Sequence, residues 1–425
     1  MTEEKGNNPV NKPRVFVQTA KSGLPDLDRW KQMTEEEAQV AYDMTLRNEL
    51  SGGTQTVRDF EAEWRRITGL KHAITTSNGT AALYSSMLAL GVGPGDEVIS
   101  STYNWICSIA PAPLLGARPV FCDVDPRTLL TDPADLKRRI TPRTKAIVLV
   151  HLWGLVCDLD RIMEISRETG VPVIEDCSHA HGATWRGKPV GTFGRIACWS
   201  LQGSKAVSAG EGGVLATDDI ELFERSCLIG QANRIAGMDL ATTRYEKYQP
   251  LGTGMKFRAH PVAIGIASVQ LRKLDALNAG RRKWFAAIET GIGSVSFLDP
   301  VTRYPGAGQG GFYGFPVHFR PSAGSAVTAA KFASALKAEG VAASTNPYPL
   351  LHLLPYFAEG FDLFTGGRGP LTGDYPGYKV GDLPNSERMA ENLVFLPVLT
   401  DPIEEAADFV LGAIRRAGLN LGLIR

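Results

Sequence analysis

AIVLVHLWGLVCDLDRIMEISRETGVPVIED, residues 146–176, decides the fold class. Its first apolar run, Ala146–His151, and its last, Val171–Glu175, are continuous rather than alternating, which is the pattern of strands buried on both faces. Between them Leu159–Thr169 carries a helical pattern. Strand, helix and strand in that order make a crossover unit, and such units build a parallel sheet with helices on both sides.

The same alternation extends outward. Upstream, strands are expected at His72–Thr76, Glu97–Ser100 and Pro119–Asp123, with helices at Thr80–Leu90, Ile106–Leu115 and Asp132–Ile140 between them. A helical pattern from Thr34 stops at Ser51-Gly52-Gly53, and another covers Thr56–Ile67. Downstream, Cys198–Leu201 and Gly213–Thr217 read as strands, Glu221–Ile229 as a helix, 230–260 as irregular and Val262–Leu277 as a long helix. Near residue 300 the pattern changes. Gly-rich stretches (306–311 and 365–377) alternate with a strand-like Tyr313–Phe319, a helix Val327–Glu339 and a terminal helix Glu404–Arg416. The expected organisation is an N-terminal arm (1–35), a large α/β/α domain (36–277) and a smaller C-terminal α+β domain (278–425).

Composition narrows the function classes. The 425 residues hold 45 Lys+Arg against 45 Asp+Glu, so a role coating nucleic acid or a charged membrane has no electrostatic support. No apolar run reaches the ~20 residues of a membrane span. The polar N-terminus has no signal-like apolar region, and the six cysteines contain no CxxC, so reduced thiols in a cytoplasmic protein are expected. The 45 glycines and 26 prolines are dispersed without period, which leaves open what the glycine surplus serves.

Some signals carry no function. Gly182–Lys188 fits GxxxxGK, but Pro189 stands where a nucleotide-binding loop needs Ser or Thr. His179 and His181, beside Asp176 and Cys177, lack a second ligand cluster at metal spacing, so no metal is expected.

Three others fit one kind of ligand. Ser77-Asn78-Gly79-Thr80 opens a helix after a strand, either as a phosphate site or simply as a capped helix. Asp176 ends a buried-type strand, where ligands bind in open α/β sheets; it suits a cationic ring nitrogen or caps the strand. Lys205 follows the strand-like Cys198–Leu201 and precedes Ala209–Gly213, either as a partly desolvated Schiff-base amine or as a loop lysine. Each alone is weak. In that order, phosphate turn, ring-nitrogen acid and lysine together describe a pyridoxal phosphate site.

These residues sit in a set of longer motifs: SNGTAAL (77–83), GVGPGDEVI (91–99), FCDVDPRTLLTD (121–132), TPRTKAIVLVHLWG (141–154), VPVIEDCSHAHGATWRGKPVGTFG (171–194), CWSLQGSKAVSAGEGGVLATDD (198–219) and LPVLTDP (396–402). As a set they resemble the DegT/DnrJ/StrS family of sugar aminotransferases, within the fold-type I pyridoxal phosphate enzymes. The likeness runs from about Ser51 to the C-terminus. It implies that Lys205 forms the Schiff base and moves the proton, Asp176 pairs with the pyridine nitrogen, and His179 contacts the phenolic oxygen. By the same likeness Trp105 stacks on the ring, and Gly79, Thr80 and Ser200 bind phosphate with Gln202 close by. It further implies a homodimer with its active sites at the subunit interface. The partner residue completing each phosphate site is usually an Asn; here the segment reads Met255-Lys256-Phe257-Arg258, which makes Lys256 the candidate. Asn104 also replaces the usual Thr before the stacking aromatic.

The activity this implies is transfer of an amino group from Glu or Gln to a ketone of a sugar, sugar nucleotide or cyclitol, in amino-sugar or aminocyclitol natural-product biosynthesis. The alternative is dehydration or a related non-transaminating reaction of a keto-sugar, which in relatives goes with His at the lysine position. Loops at 230–258, 306–314 and 365–378, with His352 and Tyr348, are the expected specificity elements.

Overall fold

A computed structural model describes residues 33–424 apart from 236–239, 241, 250, 363–364 and 402–403. Most of the arm expected at 1–35 therefore lies outside the described residues. Helix α1 (Glu35–Leu46) starts at Thr34, whose side chain and that of Glu37 form a reciprocal capping box. Helix α2 (Gln55–Thr68) starts at the Thr54 cap and stops at Gly69, which takes the left-handed φ of 78° that ends helices well.

Seven strands form the central sheet: β1 (His72–Thr76), β2 (Glu97–Ser101), β3 (Arg118–Cys122), β4 (Thr144–Val150), β5 (Val173–Asp176), β6 (Ile196–Ser200) and β7 (Gly213–Thr217). Their order is β1-β7-β6-β5-β4-β2-β3. Pairs β6/β5, β5/β4, β4/β2 and β2/β3 are parallel, while β7 runs antiparallel to both β1 and β6. All strands except β7 thus point the same way, and their C-terminal ends share one edge. Helices α3 (Gly79–Ala89), α4 (Pro133–Arg139) and α5 (Leu159–Thr169) lie between strands of the sheet, and α6 (Ile220–Gly230) follows β7. The strands are buried along nearly their whole length, as continuous apolar runs require.

One expected helix is broken. Ile106–Leu115 is a 3-10 turn (Ile106–Ser108) followed by a single helical turn (Pro111–Leu114). Pro111 and Pro113 have no N–H to give to a longer ladder. The GxxxxGK stretch is a hairpin of two-residue strands, Thr184–Trp185 and Lys188–Pro189, with Arg186 and Gly187 at positive φ in its turn.

Helix α7 (Pro261–Ile292) continues 15 residues past the expected end at Leu277. Its later turns bury Trp284, Phe285, Ile288 and Ile292 in a second core, built mainly from residues beyond 284. The boundary drawn at 277/278 falls inside this continuous helix. The second core also covers an antiparallel sheet of β8 (Leu298–Pro300), β9 (Phe315–Phe319), β10 (Ser344–Thr345) and β11 (Leu393–Leu396), in the order β8-β9-β11-β10, with α8 (Ala329–Ala338) and α9 (Glu404–Asn420). Leu350, Leu351, Phe357, Leu371 and Leu383 instead join the large core, so the C-terminal segment packs on both.

Candidate active site

A cleft of about 480 Å³ opens where the parallel strands end. It collects Asn78, Gly79 and Thr80 after β1, Trp105, Cys107 and Ser108 after β2, and Val150 at the end of β4. Asp176 and Ser178–His179 come from β5, Ser200–Lys205 from β6, and Tyr313 and Tyr348 from the C-terminal part. That edge is where α/β sheets bind ligands, because loops leaving neighbouring strands diverge there.

Asp176 forms the floor. Its side chain is 3% exposed and accepts Ser108 Oγ–H at 2.7 Å and the Ser178 N–H at 3.0 Å. Ser178 in turn accepts the Ser200 N–H at 3.0 Å through its hydroxyl, which ties the ends of β5 and β6 together. A buried carboxylate holding two donors and facing a cavity is suited to a cationic partner.

The head of α3 forms a second wall. Asn78 caps it by accepting the Ala81 N–H at 2.7 Å. Gly79 packs so tightly on β6 that a Cβ there would lie 2.9 Å from Ser200 Cβ. The first N–H groups of the helix, the Thr80 side chain and Ser200 therefore meet at one corner of the cleft. That geometry suits an anion, from the N–H donors and the positive end of the helix alike.

Lys205 lies opposite, 8% exposed, in a loop folded on itself by Lys205 N–H to Gln202 O at 2.8 Å and Ala209 N–H to Leu201 O at 2.7 Å. Burial pulls its pKa down to about 8, against the opposing pull of the Asp176 charge. His179 is buried and kept neutral, its pKa held well below the ordinary value first by burial and then by the Lys205 charge. Its Nδ1 accepts the Trp153 N–H at 3.3 Å, so Nε2 carries the proton. Trp105 stands at the mouth, 49% exposed, tilted against Tyr348 at 5.3 Å.

Gly79, Thr80, Trp105, Asp176, His179, Ser200, Gln202 and Lys205 thus all line one cleft. Lys256 does not. It is exposed, and its backbone bridges to Gln231. His352 also departs from the expectation: it is buried away from the cleft, its Nδ1 2.7 Å from Thr102 Oγ1 and its Nε2 3.1 Å from Glu387. Tyr348 does line the cleft. Of the expected specificity loops, 236–239, 241 and 250 lie outside the described residues.

The sequence reading missed Ser108, Ser178, Cys107 and Glu211, and it placed Tyr313 in the 306–314 specificity loop without singling it out. Ser178 had a signal, since a residue two after an Asp is where an Asx turn donates. Ser108 and Tyr313 reach the cleft only through tertiary folding, Tyr313 by stacking on His179 at 3.9 Å.

Buried His151, Glu175 and Cys177 bring ligand-type atoms within 4.8 Å of one another. Hydrogen bonds within the protein occupy two of the three: His151 Nε2 meets Glu175 at 3.2 Å, Glu175 also accepts the N–H groups of Gly191, Phe193 and Gly194, and His151 Nδ1 accepts that of Cys157. Glu175 thereby fastens the 191–194 loop to β5.

The donor set fits pyridoxal phosphate: an anion corner, a floor carboxylate for a ring nitrogen, a neutral imidazole N–H and a desolvated amine, all in one cleft.

Comparison with known proteins agrees. The profile of the DegT/DnrJ/EryC1/StrS aminotransferase family matches residues 31–415. GDP-perosamine synthase of Caulobacter vibrioides is 41% identical over 225 residues, 53% of this chain and 58% of that protein, so the match spans little more than half of that relative. A putative L-glutamine:3-amino-2,3-dideoxy-scyllo-inosose aminotransferase of Streptoalloteichus tenebrarius is 32% identical over 380 residues, 87% of this chain and 88% of that one. Among solved structures, an aminotransferase of Psychrobacter cryohalolentis superposes with a TM-score of 0.81 at 26% identity, covering 92% of this chain and 99% of that one.

Proposed function

We propose that this chain, which belongs to the DegT/DnrJ/EryC1/StrS aminotransferase family, moves an amino group from glutamate or glutamine to the ketone of a sugar, sugar nucleotide or cyclitol in amino-sugar or aminocyclitol biosynthesis. Enzymes of this family depend on pyridoxal phosphate. When bound, that cofactor supplies an electrophilic carbonyl for the amino group and a ring that draws electrons from the neighbouring C–H bond.

The chain's own residues then have these tasks. Asp176, fixed by Ser108 and Ser178, offers an opposite charge to the cationic ring nitrogen. The head of α3, with Gly79, Thr80 and Ser200 and with Gln202 beside them, receives the phosphate. Trp105 would offer its face to the ring, and His179 would offer its Nε2–H to the phenolic oxygen. Lys205 Nζ, with a pKa near 8, holds an appreciable amine fraction at neutral pH. It takes the proton from the substrate carbon and returns it, as general base and then acid. The exposure of Lys256 supports a role across a subunit boundary, at the phosphate of a second copy in a homodimer whose sites lie at the interface.

The observation that carries this reading is the buried Lys205 amine and the buried Asp176 carboxylate in one cleft headed by α3. The test is a panel of keto-sugars, their nucleotide forms and keto-inositols with glutamine or glutamate. An aminated product with wild type and none with Lys205→Ala supports the reading. Loss of water from a keto-sugar without nitrogen transfer would favour the dehydratase alternative.

A further inference from the structure

Tyr313 touches three residues of the cleft. The Lys205 Nζ lies 3.8 Å from its ring centroid. The His179 ring stacks on it at 3.9 Å with 23° between planes, and its hydroxyl is 2.9 Å from Ser204 Oγ. The phenol ring thus contacts both the amine and the imidazole. Trp153 lies beside both rings, nearly parallel to Tyr313 at 5.9 Å and tilted against His179 at 5.4 Å.

We propose that Tyr313 is a positioning residue for Lys205: its ring face holds the cationic form of the amine whenever the amine is not bonded to the cofactor, and so sets how readily Lys205 gains and loses its proton. The negative face of an aromatic ring attracts an ammonium most strongly where water is excluded, and Lys205 is 8% exposed. Other groups act on the same amine. Asp176 and Cys107 favour its charged form, while burial opposes it. His179 and His181 sense its charge, both kept neutral. Glu211 and Tyr348 line the same cleft. Asp176 acts on the amine from the floor of the cleft, and the Tyr313 ring meets it at 3.8 Å.

The test uses the full-length protein freed of cofactor, so its readout involves neither the acceptor nor turnover. Trace acetic anhydride labels amines in proportion to their unprotonated fraction, and mass spectrometry of the Lys205 peptide against pH gives the midpoint. Tyr313→Phe keeps the ring face and loses the hydroxyl with its contacts to Ser204 and Tyr348; its midpoint should stay within a few tenths of wild type. Pentafluorophenylalanine placed at position 313 keeps the shape but reverses the ring's charge distribution. Its midpoint should fall by about one pH unit, a tenfold lower ammonium-to-amine ratio at fixed pH. An unchanged midpoint with the fluorinated ring would overturn the proposal. So would a Phe variant that falls as far as the fluorinated one, because the hydroxyl would then be the group that matters.

Discussion

Gly79→Ala tests the anion corner most sharply. An added methyl would sit 2.9 Å from Ser200 Cβ and 3.1 Å from Ser200 Cα. Carbon atoms in good contact lie at ~3.5–4.0 Å, so the head of α3 must retreat from β6 by roughly 0.5–1 Å. Overpacking of this kind costs about 1–3 kcal/mol of stability. The retreat also carries the Gly79 and Thr80 N–H groups away from Ser200. Losing one hydrogen bond to a charged phosphate is worth about 1.5–3 kcal/mol, or roughly 10- to 150-fold in affinity. The assays are urea unfolding of the cofactor-free protein and titration with pyridoxal phosphate followed by visible absorbance. Gly93→Ala is the control, since its Cβ meets nothing within 4 Å. The expected outcome is a destabilised Gly79→Ala with cofactor binding weakened at least tenfold, and a Gly93→Ala close to wild type in both. A Gly79→Ala variant that binds pyridoxal phosphate as tightly as wild type would refute the placement of the phosphate at this corner.

Other consequences follow from the same geometry. Ser108→Ala removes the 2.7 Å hydrogen bond to the buried Asp176 carboxylate and should weaken cofactor binding by roughly five- to a hundredfold, measured by the same titration. Arg234→Ala leaves the buried Glu61 carboxylate without the guanidinium that donates to it at 2.8 Å; urea unfolding should show a loss of about 3–5 kcal/mol. Lys205 adds a pH dependence. Its folded pKa is depressed from 10.5 to about 8, so the folded state binds fewer protons than the unfolded state between these values. The stability of the cofactor-free wild type should therefore rise with pH from about 8 to 10.5 relative to Lys205→Met, by on the order of 3 kcal/mol in all. Equal slopes for the two proteins in that window would contradict the burial of the amine.

Much of the fold was legible because the large domain obeys local rules. Strands β1 and β7 and helix α5 have the bounds that apolar runs and caps imply, with Asp158 capping α5 and Gly170 closing it. The errors came where another force outweighed the pattern. At Ile106–Leu115 apolar residues continue, but two prolines interrupt the ladder. The expected end at Leu277 lies just before Gly280 and the arginines at 281 and 282. Burial of Trp284 and Phe285, and of Arg281 donating to Gly311 O at 3.1 Å, outweighs the low helix propensity of glycine.

The site divides in the same way. Asp176, Gly79 and Lys205 were readable because each sits just beyond a strand, in a motif whose spacing reflects backbone geometry. His352 was misassigned because a buried His-Glu pair and a cleft histidine look alike in sequence. Tyr313 reads in sequence as the start of a strand and as part of the 306–314 specificity loop, not as a contact of the lysine. Its ring reaches Lys205 because the second core sets β9 against the cleft, a contact between residues 108 positions apart that no local pattern encodes. The glycine surplus gains a partial account: Gly79 permits the close approach of α3 to β6, and Gly311, at φ 70°, passes so near the His179 carbonyl that a Cβ would lie 2.3 Å from it.

The central claim is that this cleft transfers nitrogen from an amino acid to a keto-sugar or keto-cyclitol. The most direct measurement is mass spectrometry of the products formed from 15N-labelled glutamine or glutamate and a panel of such ketones, with wild type and with Lys205→Ala. The account predicts label carried to the carbon that bore the ketone oxygen, and none with the variant. Label transferred equally by Lys205→Ala, or a wild-type protein that consumes a keto-sugar without taking up nitrogen, would contradict it.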